Sequence, residues 1–393
     1  MNIRQALFPQ SWQLITIGEV VEVLDNLRKP ITKRDRVEGE YPYYGATGIL
    51  SYVHNYIFSE KLVLIGEDGA KWLSGDNTSF IAKGKYWVNN HAHVIRPIRK
   101  IILDEWVVYY LNFTDLTPFV TGMTVPKLNQ EKMRSIPIPL PPLLEQKRIV
   151  AILDECFIAI AKAKSNEEQN LRNAKELFES YLHGVLADEK WERKTIGEIC
   201  ERVEYGSSTK SKVVGEIAVL RMGNVRNGRF TWDKLVYSDD VVDNRKYLLK
   251  YNDVLFNRTN SPELVGKTAI YKGEMPAIFA GYLIRLHRKE NLVDADYLNY
   301  YLNSEMAMEY GKTVVISSVN QANINGTKLK GYPIPCPPLK AQQAIVQKLD
   351  ALSSETKRLE AIYQTKINKL EELKKSILEK AFSGELSEME VAS

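Results

Sequence analysis

The sequence predicts an α+β chain in which two mixed α/β modules are joined by two long helices. These helices pair antiparallel as a coiled coil and relate the modules by a pseudo-twofold axis. Three observations carry that expectation. A proline-rich segment running into a helical pattern occurs twice, as IPIPLPPLLEQKRIVAILD from Ile136 and as YPIPCPPLKAQQAIVQKLD from Tyr332. A tryptophan opens WQLITIGEV at Trp12 and again WERKTIGEI at Trp191, and an internal repeat of this kind fixes the plan of a fold before any local reading. After each proline segment the apolar residues return at intervals of four and three, the mark of helices packed along a seam.

At 393 residues, 44% apolar and 26% charged, the chain exceeds the ~250–300 residues at which a single core stops growing. The repeat divides it into a first module at 1–142, a first long helix at 143–186, a second module at 187–338, a second long helix at 339–386 and a tail at 387–393. Cys156, Cys200 and Cys336 share no paired spacing, which excludes a disulfide scaffold or thiolate zinc site and suits a reducing compartment. The first residues lack a signal-peptide core and no apolar run approaches the ~18 residues of a membrane span. A cytoplasmic protein without a membrane partner is expected.

In the first module, LVLIG at Leu62 and HVIRP at His93 are strand-like, and EWVVYYLNF at Glu105 has helical spacing. The proline segment that follows should be extended, because proline fixes φ and keeps the residue before it out of the helical region. The paired prolines at 141 and 142 then suit a first helical turn, where a missing N–H costs little. The first helix should bury Ile149, Leu153, Cys156, Ile160, Ala163, Asn170, Ala174, Leu177 and Tyr181, with Glu167 breaking the seam. The second module offers IAVLRMGNV at Ile217 and DVLFNRTN at Asp253 as strands and ADYLNYYLNS at Ala295 as a helix, but YYGATGILSYVHNYIF has no recognisable counterpart there. The second helix should bury Ile345, Leu349, Leu352, Thr356, Leu359, Tyr363, Leu370, Leu373 and Ile377, with Lys366 as its break. Gly184 and Gly384 are placed to close the two helices. ESYLHGVL at Glu179 matches EKAFSGEL at Glu379 at a separation four residues greater than that of the proline segments, so the second helix should carry one extra turn.

Sites of chemistry are sparse. SPELVGKT at Ser261 approaches a phosphate-binding loop, but Ser261 replaces its first glycine and a strand-like AIYKGEMP follows where a helix is needed. His91 and His93 in HAH would share one side of a strand, and without further ligands nearby they are expected to be structural or surface residues. Glu67, Asp68 and Lys71 in LIGEDGAKW fit a turn better than a nuclease cluster. No catalytic residue, metal or cofactor is expected.

The two modules carry 15 basic against 14 acidic and 21 basic against 17 acidic side chains (residues 12–142 and 191–338). Phosphate binding depends on where such charges lie, and Asn and Gln can pair with adenine edges. The candidate DNA contacts are Arg28, Lys29, Lys33, Arg34, Arg36, Lys83, Lys85, Asn89 and Asn90 in the first module. In the second they are Lys210, Lys212, Asn224, Arg226, Asn227, Arg229, Asn257, Arg258, Asn260, Asn320, Gln321 and Asn323.

The order of TIGE after each tryptophan, LIGEDGA at Leu62, VLFNRTN at Val254 and the two proline-to-helix junctions resembles, over essentially the whole chain, the DNA-specificity subunit of type I restriction-modification systems. The resemblance implies two target-recognition domains, each reading one half of a bipartite double-stranded DNA target. It also implies a helical spacer that docks methyltransferase subunits, within an assembly that includes restriction-translocase subunits. On that reading the chain is not itself an enzyme. The two junctions differ, AQQAIVQ standing in the second where EQKRIVA stands in the first. The alternatives are the recognition subunit of a type IIB-like restriction enzyme and a coiled-coil adaptor that touches no DNA.

Overall fold

The computed structural model describes residue 9 and residues 11–122, 124–318 and 321–387. The chain forms two compact units that are not contiguous in sequence: residues 1–168 with 364–393, and residues 169–363. Each long helix therefore gives one half to each unit. Among the described residues no helix is long and apolar enough to cross a membrane.

In the first unit, Gln13–Thr16 pairs antiparallel with Pro137–Leu140. A two-stranded ribbon leaves each strand a free edge, so the proline segment can be a strand despite its missing N–H groups. Thr16 then caps a single turn, Ile17–Val20, its backbone N–H and hydroxyl both donating to Glu19 at 2.6 and 2.7 Å. A four-stranded antiparallel sheet follows in the order Val21–Val23, Ala92–Pro97, Leu62–Gly66, Ser79–Ala82. Leu62–Gly66 is buried along its whole length, because both faces of this sheet are covered. On one face, Val63, Ile65 and Ile95 pack with Trp106 and Leu111 of the head helix Asp104–Phe113. On the other, Leu62, Leu64 and Val94 meet Tyr86 and Val88 beside a smaller sheet ordered Gly48–Val53, Tyr41–Gly45, Trp87–Val88.

The second unit repeats this plan. Arg193–Thr195 pairs with Pro333–Pro335, and Thr195 with Glu198 forms the same capping box. The four-stranded sheet runs Cys200–Tyr205, Leu283–Arg288, Val254–Asn257, Thr268–Ile270, and the smaller one Val236–Ser238, Ile217–Leu220, Ala277–Phe279. The head helix is Ala295–Asn303. An asparagine near the end of each head helix brackets the edge strand in the same way. Asn112 accepts from Ser79 N at 2.8 Å and donates to Ser79 O at 2.9 Å, and Asn303 does so to Thr268 at 3.1 and 3.3 Å. The YYGATG region thus has a counterpart in pairing though none in sequence: in both smaller sheets the middle strand has one antiparallel and one parallel neighbour. Ladder bonds use the backbone, so side chains are free to diverge. The second unit adds a hairpin, Val225–Arg226 with Arg229–Phe230, between the two equivalent strands.

The long helices are Leu143–Ala187 and Leu339–Ser383, 45 residues each, about 68 Å at 1.5 Å per residue. They pair antiparallel within each unit. In the first, Arg148 donates to Leu386 O, Lys164 meets Glu371 at 2.5 Å and Glu167 meets Lys366 at 3.1 Å. In the second, Thr356 lies 3.4 Å from Ala174 O and the Lys348 ammonium sits 4.7 Å above the Tyr181 ring. The two residues that break the apolar seams, Glu167 and Lys366, are thus bonded to each other.

Three expectations need correction. Gly184 does not end the first helix, which runs on to Ala187 because Leu182 and Leu186 are anchored in the second unit's core; Gly384 alone takes the left-handed conformation, at φ 84°. The second helix is accordingly no longer than the first. Asn170, Leu177 and Leu373 face solvent, whereas Ala174 and Tyr181 stay on the contact side beyond Glu167, joined there by Phe178. A straight helix turns every 3.6 residues, so a strict heptad drifts off the contact face.

Candidate nucleic-acid interface

Backbone bonding fixes which positions correspond in the two heads. Leu128 N donates to Glu67 O at 2.8 Å, and Ile324 N donates to Arg258 O at 2.9 Å. Each acceptor directly follows a strand with the same register, Val63 opposite Ile95 and Val254 opposite Leu286. Glu67 and Arg258 therefore occupy one structural position with opposite charge.

In the first head this position belongs to an ion-pair latch. Arg28 reaches Glu67 at 2.5 Å, Asp25 at 3.4 Å and Ala92 O at 2.8 Å. Lys127 meets the other Glu67 oxygen at 2.9 Å. His93 is held at both ring nitrogens, by Asp25 at 2.6 Å and Leu128 O at 2.7 Å. Burial alone would raise the Glu67 carboxyl, but hydrogen bonds from Arg28 and Lys127 hold it below its usual value. Burial likewise opposes ionisation of Asp25, and its hydrogen bond and charge contact with His93 outweigh it. Asp25, Glu67 and His93 place ligand-type atoms within 4.8 Å of one another, yet Arg28 and Lys127 already balance the two carboxylates. His91 and His93 do not share one side as HAH suggested: the strand begins at Ala92, leaving His91 exposed on Asp68 at 2.5 Å while His93 is buried. SPELVGKT runs at its last residue into the strand Thr268–Ile270, not into a helix.

Arg28 is therefore largely spent within the fold, its side chain 13% exposed. Arg36 is half-buried, 4.4 Å above the Tyr43 ring and bonded to Ile31 O, and it holds the loop that follows Arg28. Asn89 is buried and accepts from His91 N at 2.8 Å. Exposed in this head are Lys29, Lys33, Arg34, Lys83, Lys85 and Asn90. Trp87 donates to Lys29 O at 2.6 Å, which brings that loop beside the strand two residues from Lys85. Lys85 itself sits 4.7 Å above Tyr56.

The second head presents the same position differently. The Arg258 guanidinium lies 4.9 Å over the Tyr205 ring. Its contacts to Gly281 O and Asn323 Oδ1 are long, 3.4 and 3.5 Å, and its Nε is buried without a hydrogen-bond partner. Thr259–Asn260 pairs with Gln321–Asn323, so Arg258, Asn260, Gln321 and Asn323 come together. Tyr205 is anchored through its hydroxyl, which accepts from Gly326 N at 2.7 Å.

Other candidates in this head are scattered. Asn257 and Asn224 are buried, bonded to Leu264 O and to Thr231 O and Asp233 O. Asn227, at φ 48°, and Gly228 make the tight turn of the added hairpin, with Arg226 and Arg229 exposed on its strands. Lys212 is paired with Asp239 at 2.8 Å, Lys210 is exposed, and Asn320 lies outside the described residues. Sequence reasoning missed Tyr205 and Lys127, since neither stands in a basic or amide-rich run.

The arrangement offers planar guanidinium and amide donors on loops carried by rigid sheets, the chemistry that contacts phosphates and base edges.

The type I restriction modification DNA specificity domain matches this chain twice, at residues 9–170 and 188–372. A candidate type I restriction enzyme specificity subunit of Haemophilus influenzae is 29% identical over 86% of this chain and 87% of its own length. The MjaVIII specificity subunit of Methanocaldococcus jannaschii is 25% identical over 96% and 93%. A chain from a solved structure of a type I restriction-modification system, from work on complex assembly and conformational transition, shares the fold with a TM-score of 0.70 at 19% identity, covering 95% of this chain and 98% of that one. With two copies of the same domain across most of its length, the chain belongs to the type I restriction-modification DNA-specificity family.

Proposed function

We propose that this chain is the specificity subunit of a type I restriction-modification enzyme. Each head reads one half of a bipartite double-stranded DNA target. The long helices dock methyltransferase subunits, which flip and methylate the target adenine, and restriction-translocase subunits complete the assembly. The chemistry belongs to those partners, and this chain supplies recognition in the cytoplasm.

The observation that carries this reading is the pairing of one fold plan with opposed chemistry: Glu67 bound in a latch in one head, Arg258 loosely held on Tyr205 in the other. Two copies of one scaffold with unlike polar surfaces suit two unlike half-sites. In the first head, Lys29, Lys33, Arg34, Lys83, Lys85 and Asn90 are the proposed contacts. In the second they are Arg258, Asn260, Gln321 and Asn323, with Lys210, Arg226 and Arg229 positioned for phosphates. The test is DNA binding by the complex reconstituted with its methyltransferase. Affinity should fall steeply with salt and favour one split sequence over random DNA by at least ~10³-fold. Binding without sequence preference would refute the reading.

A further inference from the structure

Each proline-rich segment enters its long helix past a glutamine that is 0% exposed, Gln146 in the first junction and Gln342 in the second. Gln146 Oε1 accepts from Leu103 N at 3.0 Å, and its Nε2 donates to Ile101 O and Pro141 O at 2.9 Å each. Gln342 repeats the set: Oε1 accepts from Asp294 N, and Nε2 donates to Leu292 O and Pro337 O, all at 2.8 Å. Leu103 and Asp294 are the residues from which the head helices start. Pro141 and Pro337 end the extended segments. One side chain thus ties the head helix, the extended segment and the first turn of the long helix at one point. The surrounding residues differ, EQKR against AQQA, and the glutamine alone is common to the four positions. Only a primary amide of this length supplies one acceptor and two donors here; glutamate lacks the donors and leucine lacks both.

We propose that Gln146 and Gln342 are positioning residues that set the angle at which each head leaves its helix, and through it the gap between half-sites that the subunit accepts. The proposal rests on the functional reading above. Neither residue touches DNA; each acts through the backbone it holds. A second tie between head helix and long helix lies further along, where the Tyr109 hydroxyl donates to Asp154 and the Tyr300 hydroxyl to Asp350.

The test uses the full methyltransferase complex and a DNA library with both half-sites fixed and the gap varied base pair by base pair. Gln146→Leu and Gln342→Leu should each flatten the gap profile, lowering the ratio of methylation at the best gap to that at its neighbours by at least roughly fivefold, the worth of a single net hydrogen bond, since each variant loses three. The preferred bases in each half-site should not change. A folded variant with the wild-type gap profile overturns the proposal, because lost stability alone lowers methylation at every gap alike. Gln146→Met and Gln342→Met keep the length of the side chain without burying a charge and provide the same readout if leucine prevents folding. Failure of every variant to fold also overturns it, since a purely structural role then explains the residue. If the wild-type complex methylates no bipartite target, the functional reading fails instead.

Discussion

Arg258→Ala and Arg28→Ala remove the same side chain from the two heads and should have opposite consequences. Arg258 holds the fold weakly: two hydrogen bonds at the limit of length, 3.4 and 3.5 Å, and one face on Tyr205. Such a contact is worth ~0.5–1 kcal/mol, and truncation relieves a buried, unpaired Nε, so stability should fall by no more than about 1 kcal/mol. If Arg258 meets DNA, its loss costs ~1–3 kcal/mol of binding. Uniform weakening, with the salt slope shallower by about 0.9, marks a phosphate contact. Loss confined to one base pair marks a guanine contact. Arg28, by contrast, neutralises Glu67 at 2.5 Å with both side chains nearly enclosed, and losing it costs ~3–5 kcal/mol because Lys127, on the other Glu67 oxygen, is then left to balance both Glu67 and Asp25. Arg28→Ala should therefore unfold the first unit well before it reports on DNA. The assay is urea denaturation of each variant beside anisotropy titrations of the reconstituted complex at several salt concentrations. Arg258→Ala with wild-type affinity, or with a stability loss of several kcal/mol, would refute the reasoning.

Four further outcomes are expected. Asp25, Glu67 and Glu204 all ionise more readily in the fold than their ordinary values of 3.8, 4.5 and 4.5. Their contribution is complete above those values and lost as pH falls through the lower folded ones, so urea midpoints should hold down to about pH 4.5 and drop below it; a midpoint that rises in acid would contradict this. Phe382 packs its ring 4.9, 5.2 and 5.3 Å from Trp106, Tyr110 and Phe113, so Phe382→Ala should cost ~3–5 kcal/mol, read by denaturant unfolding of the intact chain. Glu167→Lys should lower the melting temperature and adding Lys366→Glu should restore it, with a coupling of at most ~1 kcal/mol because the pair is partly solvated; a zero coupling in the double-mutant cycle removes the bond between the seam breaks. Deleting one turn from both long helices should change the preferred gap and leave the half-site sequences intact, as read from methylation of gap-varied DNA.

The repeat made the architecture legible because it duplicates local signals that physics ties to specific backbone states: proline pairs before a helix, short apolar runs as strands, and four-and-three apolar spacing as a helix seam. The helix seams were legible where spacing was strict and lost where it drifted, at Asn170, Leu177 and Leu373. Gly184 has the composition of a helix end, but the anchors beyond it, Leu182 and Leu186, are chosen by the tertiary core. The candidate interface was legible only as residue types. Arg28 and Arg258 look alike in sequence; what separates them is Glu67, 39 residues away in the chain from the first. Asn89, Asn224 and Asn257 have the right chemistry for adenine, yet burial commits them to backbone groups. Single-sequence reasoning sees a polar group and not whether a partner already holds it.

The most direct test exchanges the second head alone. Residues 187–338 would be replaced by the equivalent segment of a relative with a different target, and methylated adenines mapped in cells carrying the chimaera and its methyltransferase. The account predicts a bipartite target in which one half changes and the other half and the gap persist. A change in both halves, or methylation at one continuous site, would contradict it.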